Sequence, residues 1–558
     1  MKHDYYTGIL VGIVLMLGVS ATQAQAQEKC LTCHKETINL SVFHNPDSIG
    51  CVACHLGDAM ATTLELAHVN LEAYPGQWNT IDQTCGKSGC HADLAKVVQT
   101  SLMNTMHGVI SKTRRILDGK ETSSRNSPDQ LTAEGVDDYL RKMCVSCHLG
   151  NKRSHHQQTL LDRGGGCAAC HLKAGQTRAA SQKNVRTGKH PELSLAVDND
   201  RCFGCHSRSG RISLNYVGLA ETSELDPKRL ADFGTLPDGR LVEKLAPDVH
   251  SSAGMACIDC HTADEVMGDG KSHATLQTQL DIQCADCHAP QLTWKPAEAL
   301  TPRERLYPVL YNQSELLSQS RFIVTSKNKT PLFHVSENSG KRVLTSKITG
   351  KAHLVPVMKT GKHHNFTRHQ RLSCDSCHSS WVPQCYGCHI SQDPDQTQWD
   401  HISAKPTPGR WLENAWAIKH GLPALGVGNN QKIIPFIPGM NLSFKHPETG
   451  KTISRNLFAA ISPHTTRNSR TCKSCHQNDQ ALGIITKLET SPQNKDWKTP
   501  DGWIFAESDL PGKATNPGDR SFNSLEIQKI RQVGKCLECH AETYRDFDST
   551  LPRPSRHP

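Results

Sequence analysis

The stretch RLSCDSCHSSWVPQCYGCHI (residues 371–390) contains the pattern Cys-x-x-Cys-His twice, with only six residues between the two copies. The same pattern accounts for the cysteine content of the whole chain. The chain has 24 cysteines in 558 residues, and every one belongs to a unit that ends in Cys-His. Eleven units have two residues between the cysteines, and the twelfth, CGKSGCH (residues 85–91), has four. No cysteine is left over.

We number these units motif 1 to motif 12 in chain order. They are Cys30/Cys33/His34, Cys51/Cys54/His55, Cys85/Cys90/His91, Cys144/Cys147/His148, Cys167/Cys170/His171, Cys202/Cys205/His206, Cys257/Cys260/His261, Cys284/Cys287/His288, Cys374/Cys377/His378, Cys385/Cys388/His389, Cys472/Cys475/His476 and Cys536/Cys539/His540.

Cys-x-x-Cys-His is the attachment pattern of a c-type haem, in which two thiols form thioethers to the porphyrin and the histidine binds the iron. The wider spacing in CGKSGCH spans the same two porphyrin positions. A zinc site would need two cysteine pairs per metal and would leave the histidines unexplained. Disulfides, which suit an exported chain, leave them unexplained too. The sequence therefore predicts twelve covalently attached haem c groups.

Residues 1–26 have the features of an export signal. The apolar core GILVGIVLMLGV (residues 8–19) has 12 residues, fewer than the about 20 that a membrane-spanning helix needs, and Ala24-Gln25-Ala26 offers a cleavage site. An uncleaved anchor is the alternative. We expect a periplasmic protein that is not integral to the membrane once the signal is removed. Association with the outer membrane and an extracellular location are the alternatives.

The charge and composition of the chain change meaning once the haems are counted. Apolar residues make up 36% of the chain and aromatic residues 5%, which is thin for this length unless porphyrins supply part of the core. The formal charge of +9 would favour nucleic acid or a membrane surface. Twelve haems would add about 24 propionates and bring the reduced protein to about −15. The excess of lysine and arginine is therefore better explained by propionate partners, and we predict no nucleic-acid binding.

The motifs are unevenly spread, which predicts two regions after the signal peptide. Residues 27–289 form an N-terminal eight-haem region, and residues 290–558 form a C-terminal four-haem region. The expected fold is that of a multihaem cytochrome c, with short α-helices and irregular loops around haems and small β-hairpin insertions. The insertions are expected at about 290–373 and 395–465, with turns at Asn338-Ser339-Gly340 and Pro447–Gly450. FNSLEIQKIRQVGKCLECH (residues 522–540) predicts a helix with a capping box from Asn523 to Glu526.

A second axial ligand for each iron must come from outside the motifs. Of 31 histidines, 12 belong to motifs, and setting aside His3 and His557 leaves 17 for twelve irons. Histidines that shortly precede a motif are the favoured ligands: His44, His190, His250, His273 and His464, together with members of the groups His155/His156 and His363/His364/His369. Weaker candidates are His68, His107, His353, His401, His420 and His446. Met103 and Met106 are alternatives, although packing on a helix face explains them better.

Two segments carry a closer likeness: CDSCHSSWVPQCYGCH (residues 374–389) and SPHTTRNSRTCKSCHQNDQALG (residues 462–483). They resemble parts of the large bacterial multihaem c-type cytochromes that exchange electrons with minerals and other extracellular partners. The resemblance implies low-potential, bis-histidine haems arranged as a conduit. It also implies a periplasmic or quinol-linked inner-membrane donor and an outer-membrane porin–cytochrome partner.

The alternative is a multihaem oxidoreductase that acts on nitrite, hydroxylamine or tetrathionate at one haem with an open iron position. The Cys-x-x-Cys-Lys motif of many nitrite-reducing relatives is absent from this chain. We therefore expect an electron carrier without a catalytic residue. The short loop from His378 to Cys385 spans at most about 25 Å, which predicts that the haems of motifs 9 and 10 lie in contact.

Overall fold

The computed structural model describes residues 28–34, 40, 42–119, 126–153, 163–173, 190–207, 213–359, 364, 367–385, 388–415, 418–485, 503–504 and 512–540. The expected signal peptide (1–26) and the candidate ligands His155, His156 and His363 lie outside these ranges. The chain divides into two compact units. Unit 1 comprises Met1–Ala73 and Asn184–His190, and unit 2 comprises Tyr74–Lys183 and Pro191–Pro558.

Most helices are a single turn long, and many of them carry a motif. Within one turn, residues i, i+3 and i+4 share a face, so both thiols and the imidazole project together. None of the described helices is long and apolar enough to cross a membrane. The helices are α1 Cys30–Cys33, α2 Pro46–Ile49, α3 Val52–His55, α4 Leu64–Ala67, α5 Ala92–Thr100, α6 Leu102–Thr105, α7 His107–Leu117, α8 Gly135–Tyr139, α9 Ala168–His171, α10 Asn199–His206, α11 Ser213–Tyr216, α12 Val249–Ser252, α13 Cys257–Cys260, α14 Ala263–Met267, α15 Leu276–Gln279, α16 Cys284–His288, α17 Pro302–Leu310, α18 Cys374–His378, α19 Lys473–His476 and α20 Ser524–His540.

The strands form several small sheets and one larger one, all in unit 2. The largest has six strands in the order β11-β10-β14-β15-β18, with β13 paired to β14. The strands are β1 Leu219–Glu221, β2 Phe233–Thr235, β3 Leu241–Lys244, β4 Thr293–Pro296, β5 Arg321–Val324, β6 Val335–Asn338, β7 Lys341–Thr345, β8 Ala352–Val355, β9 Val382–Cys385, β10 Cys388–Asp400, β11 Lys405–Ala415, β12 Ile418–Gly421, β13 Ala424–Val427, β14 Ile433–Lys445, β15 Thr452–Ala460, β16 Ile484–Ile485, β17 Trp503–Ile504 and β18 Gly512–Ala514.

Three local predictions are confirmed. Strands β6 and β7 form an antiparallel hairpin with Asn338 opposite Lys341, and β14 and β15 form another with Lys445 opposite Thr452. At the start of α20, the Asn523 side chain accepts a hydrogen bond from the Glu526 N–H at 2.8 Å, and Glu526 accepts one from the Asn523 N–H at 3.0 Å. These three features need only local turn and capping chemistry, which the sequence shows directly.

The six-stranded sheet is larger than the predicted hairpins, and it begins earlier than residue 395. Strand β10 starts at Cys388, so the second half of motif 10 belongs to the sheet itself. His389 lies opposite Asn414 of β11 on one side and Ser443 of β14 on the other. Motif 10 thus departs from the helical turn that most other motifs adopt, because strand pairing on both sides holds this part of the chain extended.

The predicted boundary at residues 289/290 lies inside unit 2. Arg342 of β7 donates to the carbonyl oxygens of Cys287 and Ala289, and the Thr325 hydroxyl donates to the Asp281 carboxylate at 3.0 Å. These contacts join residues before the boundary to residues after it. The division into an eight-motif and a four-motif region therefore describes how the motifs are distributed and does not separate two packing units.

Unit 2 contains a conventional apolar core in addition to the surroundings of its motifs. Phe444 of β14 is fully buried and stacks on Trp411 of β11, with ring centres 5.6 Å apart. Tyr139 of α8 meets both rings edge-on. The cysteines Cys144 (motif 4) and Cys388 (motif 10) pack against the same cluster. This core therefore fixes motifs 4 and 10 on one side of the sheet.

A buried ion pair joins the segment before motif 4 to the sheet. Lys142 and Asp138 lie 2.9 Å apart, and both are almost fully buried. Asp138 also accepts hydrogen bonds from Trp411 Nε1 and Gln392 Nε2, each at 2.8 Å, while Lys142 donates to the carbonyl oxygen of Pro408. A buried charge pair is tolerated only when its remaining hydrogen bonds are satisfied, as they are here.

Replacing Phe444 with alanine should lower the free energy of unfolding by about 3–5 kcal/mol, because it leaves a cavity under Trp411 and Tyr139. Leucine at the same position should cost clearly less, since it fills part of the space. Equilibrium guanidinium denaturation, followed by circular dichroism, measures both variants. An alanine variant as stable as the parent would show that this cluster does not hold the sheet together.

Candidate metal centres

The thiols of different motifs lie against one another. None of the 22 cysteines whose side chains the structure describes forms a disulfide; the side chains of Cys385 and Cys539 are not described. Close pairs of thiols, in which one thiol shifts the pKa of the other, join motifs that are separate in sequence. They are Cys30 with Cys51 (motifs 1 and 2), Cys85 with Cys167 (motifs 3 and 5), Cys147 with Cys205 (motifs 4 and 6), Cys202 with Cys257 (motifs 6 and 7) and Cys284 with Cys374 (motifs 8 and 9).

Further contacts extend this series within unit 2. Cys170 of motif 5 raises the pKa of the Cys202 thiol in motif 6. Cys260 of motif 7 lies near Cys287 of motif 8, and Cys377 of motif 9 lies near Cys475 of motif 11. Motif 11 also packs on α20, the helix that ends in motif 12. A side chain at Gly534 of α20 would collide with the His476 carbonyl oxygen, so this close approach requires glycine. Neighbouring motifs therefore form a continuous series from motif 3 to motif 12.

The two predicted attachment thiols of motif 2 have different surroundings. Cys51 meets Cys30 of motif 1, whereas Cys54 lies half-buried within α3. The Cys54 N–H donates to the Cys51 carbonyl oxygen at 3.1 Å, as in a regular helical turn. Cys54 is thus placed by its own motif, and attachment of haem through it stays a prediction.

Motif 3 does not have the helical turn of motif 2, and its two thiols face different environments. Cys85 meets Cys167 of motif 5, whereas Cys90 is exposed. The two additional residues place Cys90 on a turn before α5, where its N–H donates to the Lys87 carbonyl oxygen at 2.9 Å. The placement of Cys90 therefore differs from that of a second cysteine in a one-turn helix, because the wider spacing breaks the i, i+3 relation between the thiols. The predicted attachment of haem at Cys90 stays a prediction.

Cys90 is exposed to solvent, and so is one thiol in each of several other motifs. These exposed cysteines are Cys33, Cys284, Cys374, Cys472 and Cys536. A thiol that bonds to a porphyrin edge needs access to a large flat group, so exposure is compatible with the predicted attachment.

Six motif histidines face a second histidine at a nearly constant distance. The ring centres are 5.9–6.3 Å apart in every pair. The pairs are His34 with His68 (motif 1), His55 with His190 (motif 2), His261 with His464 (motif 7), His288 with His250 (motif 8), His378 with His364 (motif 9) and His476 with His369 (motif 11).

This spacing fits two imidazoles that bind one metal ion from opposite sides. A metal–nitrogen distance of about 2 Å on each side, plus about 1 Å from each nitrogen to its ring centre, places the ring centres roughly 6 Å apart. Direct ring packing does not require this distance in every pair. The donor sets of these six motifs, two thiols with two histidines, therefore fit the predicted haem.

Nδ1 contacts protein oxygen in eight of the twelve paired rings and in His171 of motif 5, which leaves Nε2 of these rings for the metal. A ligand histidine usually donates its second N–H to a carbonyl or carboxylate, and this contact fixes the tautomer and the ring orientation. Backbone carbonyl oxygens serve this role within about 3 Å for His55 (Glu72), His171 (Ser194), His288 (Pro356), His364 (Lys359), His378 (Arg467), His464 (Ser462) and His476 (Ile530).

Two rings have a carboxylate in that position instead. His250 Nδ1 lies 2.8 Å from Asp248 Oδ1, and His261 Nδ1 is hydrogen-bonded to Glu265. Burial opposes ionisation of both acids, but the hydrogen bonds they receive outweigh it and hold the pKa of Asp248 and of Glu265 below the usual range. Neither acid was predicted from the sequence, although Glu265 lies four residues after His261 and Asp248 lies two residues before His250.

Burial favours the neutral form of several motif histidines, which is the form that metal binding requires. It lowers the pKa of His91, His148, His206, His288 and His389. At His261, burial also disfavours the charged ring, but the hydrogen bond with Glu265 outweighs it, so the pKa is raised.

The five favoured distal candidates make different contacts in the structure. It pairs His190, His250 and His464 with motif histidines, while His44 lies in the 3-10 turn Val42–His44. His273 uses its Nε2 differently, 2.9 Å from the Asp269 carboxylate. His273 thus has a different contact at Nε2, the atom that the paired rings leave for metal, and its role as an iron ligand stays a prediction.

Three other histidines differ from the paired rings in a similar way. His420 places Nε2 2.7 Å from the Glu243 carboxylate, and His107 Nδ1 accepts the Asn126 N–H, which places the ring proton on Nε2. Within motif 4, His148 Nε2 lies 2.6 Å from the Asn104 carbonyl oxygen. Motif 4 therefore does not show the ring arrangement of the six paired motifs.

Glu28, Cys30 and Cys51 form a three-ligand cluster, but both thiols belong to motifs 1 and 2, so the cluster adds no separate metal site.

The predicted contact between motifs 9 and 10 stays a prediction. The described thiols of the two motifs lie against other motifs, Cys374 against Cys284 and Cys388 near the core shared with motif 4.

No protein-family model matches this chain, and neither the curated proteins nor the solved structures provide a match. The description of these centres therefore depends on the spacing of the motifs and on the ring geometry of this chain.

With the predicted haems bound, replacing His464 with alanine should convert one low-spin ferric haem per molecule to a high-spin centre, because the iron of motif 7 would lose its second nitrogen ligand. Replacing His273 with alanine should not, since its Nε2 is held by Asp269. Electron paramagnetic resonance of the two oxidised variants measures this difference. Equal high-spin signals in both variants, or none in H464A, would contradict the pairing of His261 with His464.

Proposed function

We propose that the chain is an exported dodecahaem c-type cytochrome that conducts electrons between a periplasmic donor and an outer-membrane or extracellular acceptor. The observation that carries the proposal is the set of six histidine pairs with ring centres 5.9–6.3 Å apart. The two histidines of each pair would hold one iron and leave it no position for a substrate, which favours electron transfer over substrate binding. A bound haem would supply the redox chemistry, and this chain's residues hold and orient it.

The order of the motifs supports conduction along a path. Electron tunnelling falls steeply with distance, so a conduit needs neighbouring redox groups in near contact. In unit 2 the thiol contacts run from motif 3 through motifs 5, 6, 7, 8 and 9 to motif 11, and α20 adds motif 12. Motif 4 joins this path at motif 6 through Cys147 and Cys205, and motif 10 lies next to motif 4. The proposed path is therefore branched.

The proposed partners are redox proteins. A periplasmic or quinol-linked inner-membrane donor would deliver electrons, and an outer-membrane porin–cytochrome assembly would receive them, or the flow would run in reverse. A protein with about 24 propionates offers little attraction for nucleic acid. The alternative function, a multihaem oxidoreductase for small nitrogen or sulfur oxyanions, requires one iron with an open position.

The intact mass of the exported protein should correspond to the polypeptide with twelve covalent haems, and the measurement is mass spectrometry under denaturing conditions. Eleven haems, with the twelfth restored when CGKSGCH is shortened to Cys-x-x-Cys-His spacing, would show that motif 3 is not used. A mass without haem would overturn the proposed function.

Protein-film voltammetry should give a broad, reversible response without catalytic current, because most irons carry two histidines. Nitrite, hydroxylamine, tetrathionate and sulfite are the substrates to add. A steep substrate-dependent wave with any of them would favour the oxidoreductase. In that case, the His148→Ala variant tests whether motif 4 is the reactive centre.

A further inference from the structure

Glu265 is a buried carboxylate placed by its own helix. Thr262 caps helix α14 by accepting the Glu265 N–H, and this turn directs the Glu265 side chain back towards motif 7. One carboxylate oxygen accepts the Nδ1–H of His261, and the other accepts the N–H groups of Asp281 and Ile282, each at 2.9 Å. The side chain is 2% exposed. Glu265 thus fixes the His261 ring and, through residues 281–282, the segment that leads into motif 8.

Asp248 has the equivalent position on the other side of the same two motifs. Its Oδ1 accepts the backbone N–H of His250 at 2.9 Å and contacts the ring Nδ1 at 2.8 Å. Its Oδ2 accepts the N–H of Thr466 at 2.6 Å, two residues after His464. The side chain is 3% exposed. Asp248 therefore connects the second histidine of motif 8 to the segment that carries the second histidine of motif 7.

The contrast with the other histidines is one of charge. The seven other Nδ1 contacts described above are made to neutral backbone carbonyls, whereas those of His250 and His261 are made to buried carboxylates. A carboxylate acceptor draws the Nδ1 proton away and makes the imidazole a more basic ligand. A more basic ligand stabilises ferric iron relative to ferrous iron, and low solvent exposure keeps the negative charge unscreened.

We infer that Glu265 and Asp248 are positioning residues that lower the reduction potentials of the centres of motifs 7 and 8 below those of their neighbours along the path. This inference rests on the proposed function. Motifs 7 and 8 lie between motif 6, where the path branches, and motif 9, so electrons that follow these thiol contacts pass through them. A pair of low-potential centres there makes the crossing an uphill step and limits exchange between the two sides.

One nearby cation acts in the opposite direction. Lys347 is half-buried near motifs 7 and 8, and its Nζ donates to the Ile258 carbonyl oxygen. A positive charge favours ferrous iron, but Lys347 has no direct hydrogen bond to His250 or His261 among the described contacts. Each carboxylate contacts its ring directly, so the effect of the carboxylate outweighs that of the lysine at the ligand itself.

The test is a potentiometric titration of the full protein, followed by electron paramagnetic resonance, in the variants Glu265→Gln and Asp248→Asn. The H464A and H250A variants assign the signals of motifs 7 and 8, because each changes the spin state of one centre. We expect E265Q to shift the potential of the motif 7 centre upwards and D248N to shift that of motif 8, with the other centres in place. Glu265→Asp, which keeps the charge, should restore the low potential.

A matched control is Glu72→Gln. This substitution also removes one carboxylate, but His55 is held by the backbone carbonyl of residue 72, which the substitution leaves in place. The potential of motif 2 should therefore change much less than that of motif 7 in E265Q. If E265Q does not fold, as judged by circular dichroism and haem content, D248N decides the question by the same measurement.

The outcomes distinguish failure of the inference on Glu265 and Asp248 from failure of the proposed function. Unchanged potentials in folded E265Q or D248N, with twelve haems by mass, would overturn the inference and leave the proposed function intact. Shifts of equal size in E72Q would also overturn it, because they would show a general effect of charge rather than one exerted through the ligand ring. A parent protein without haem would overturn the proposed function itself.

Discussion

The fold depends on the contacts by which six motif histidines meet a second histidine from elsewhere in the chain. A motif supplies two thiols and one histidine within a single turn, and it cannot supply the opposite ligand. His464 reaches His261 from about 200 residues away, and His190 reaches His55 across most of the N-terminal third. Each such pair fixes one loop against another, which explains why many helices of a single turn suffice around the motifs.

The six-stranded sheet positions motifs 4 and 10 by a different kind of contact. Motifs 4 and 10 lie on the cluster around Phe444, Trp411 and Tyr139, where aromatic packing replaces loop crossing as the source of order. Strand pairing also holds His389 extended between β11 and β14. The sheet therefore gives unit 2 an apolar core made of protein side chains.

Local patterns could be predicted from the sequence, and contacts between distant residues could not. The capping box at Asn523 and the hairpin turns follow from neighbouring residues alone. His68 and His273 show the limit: the first is spaced unremarkably yet faces His34, while the second precedes a motif yet contacts Asp269. Proximity in sequence is a poor guide here because a second ligand is selected by ring orientation. The hydrogen bond at Nδ1 sets that orientation, and the atom that accepts it is often a backbone carbonyl, which no residue type reveals.

The kind of atom that contacts each histidine ring decides whether a substitution can change the properties of that ring. Backbone carbonyls hold six of the twelve paired rings, and no side-chain substitution changes the charge of a carbonyl. At His250 and His261 the acceptor is a side chain, so a single substitution there alters the electronic character of one centre and leaves the scaffold in place. Glu265 and Asp248 also bind the backbone of the adjoining centre, through Ile282 and Thr466. Each acid therefore has two roles: it contacts one histidine ring, and it fixes the backbone of the segment next to the other motif.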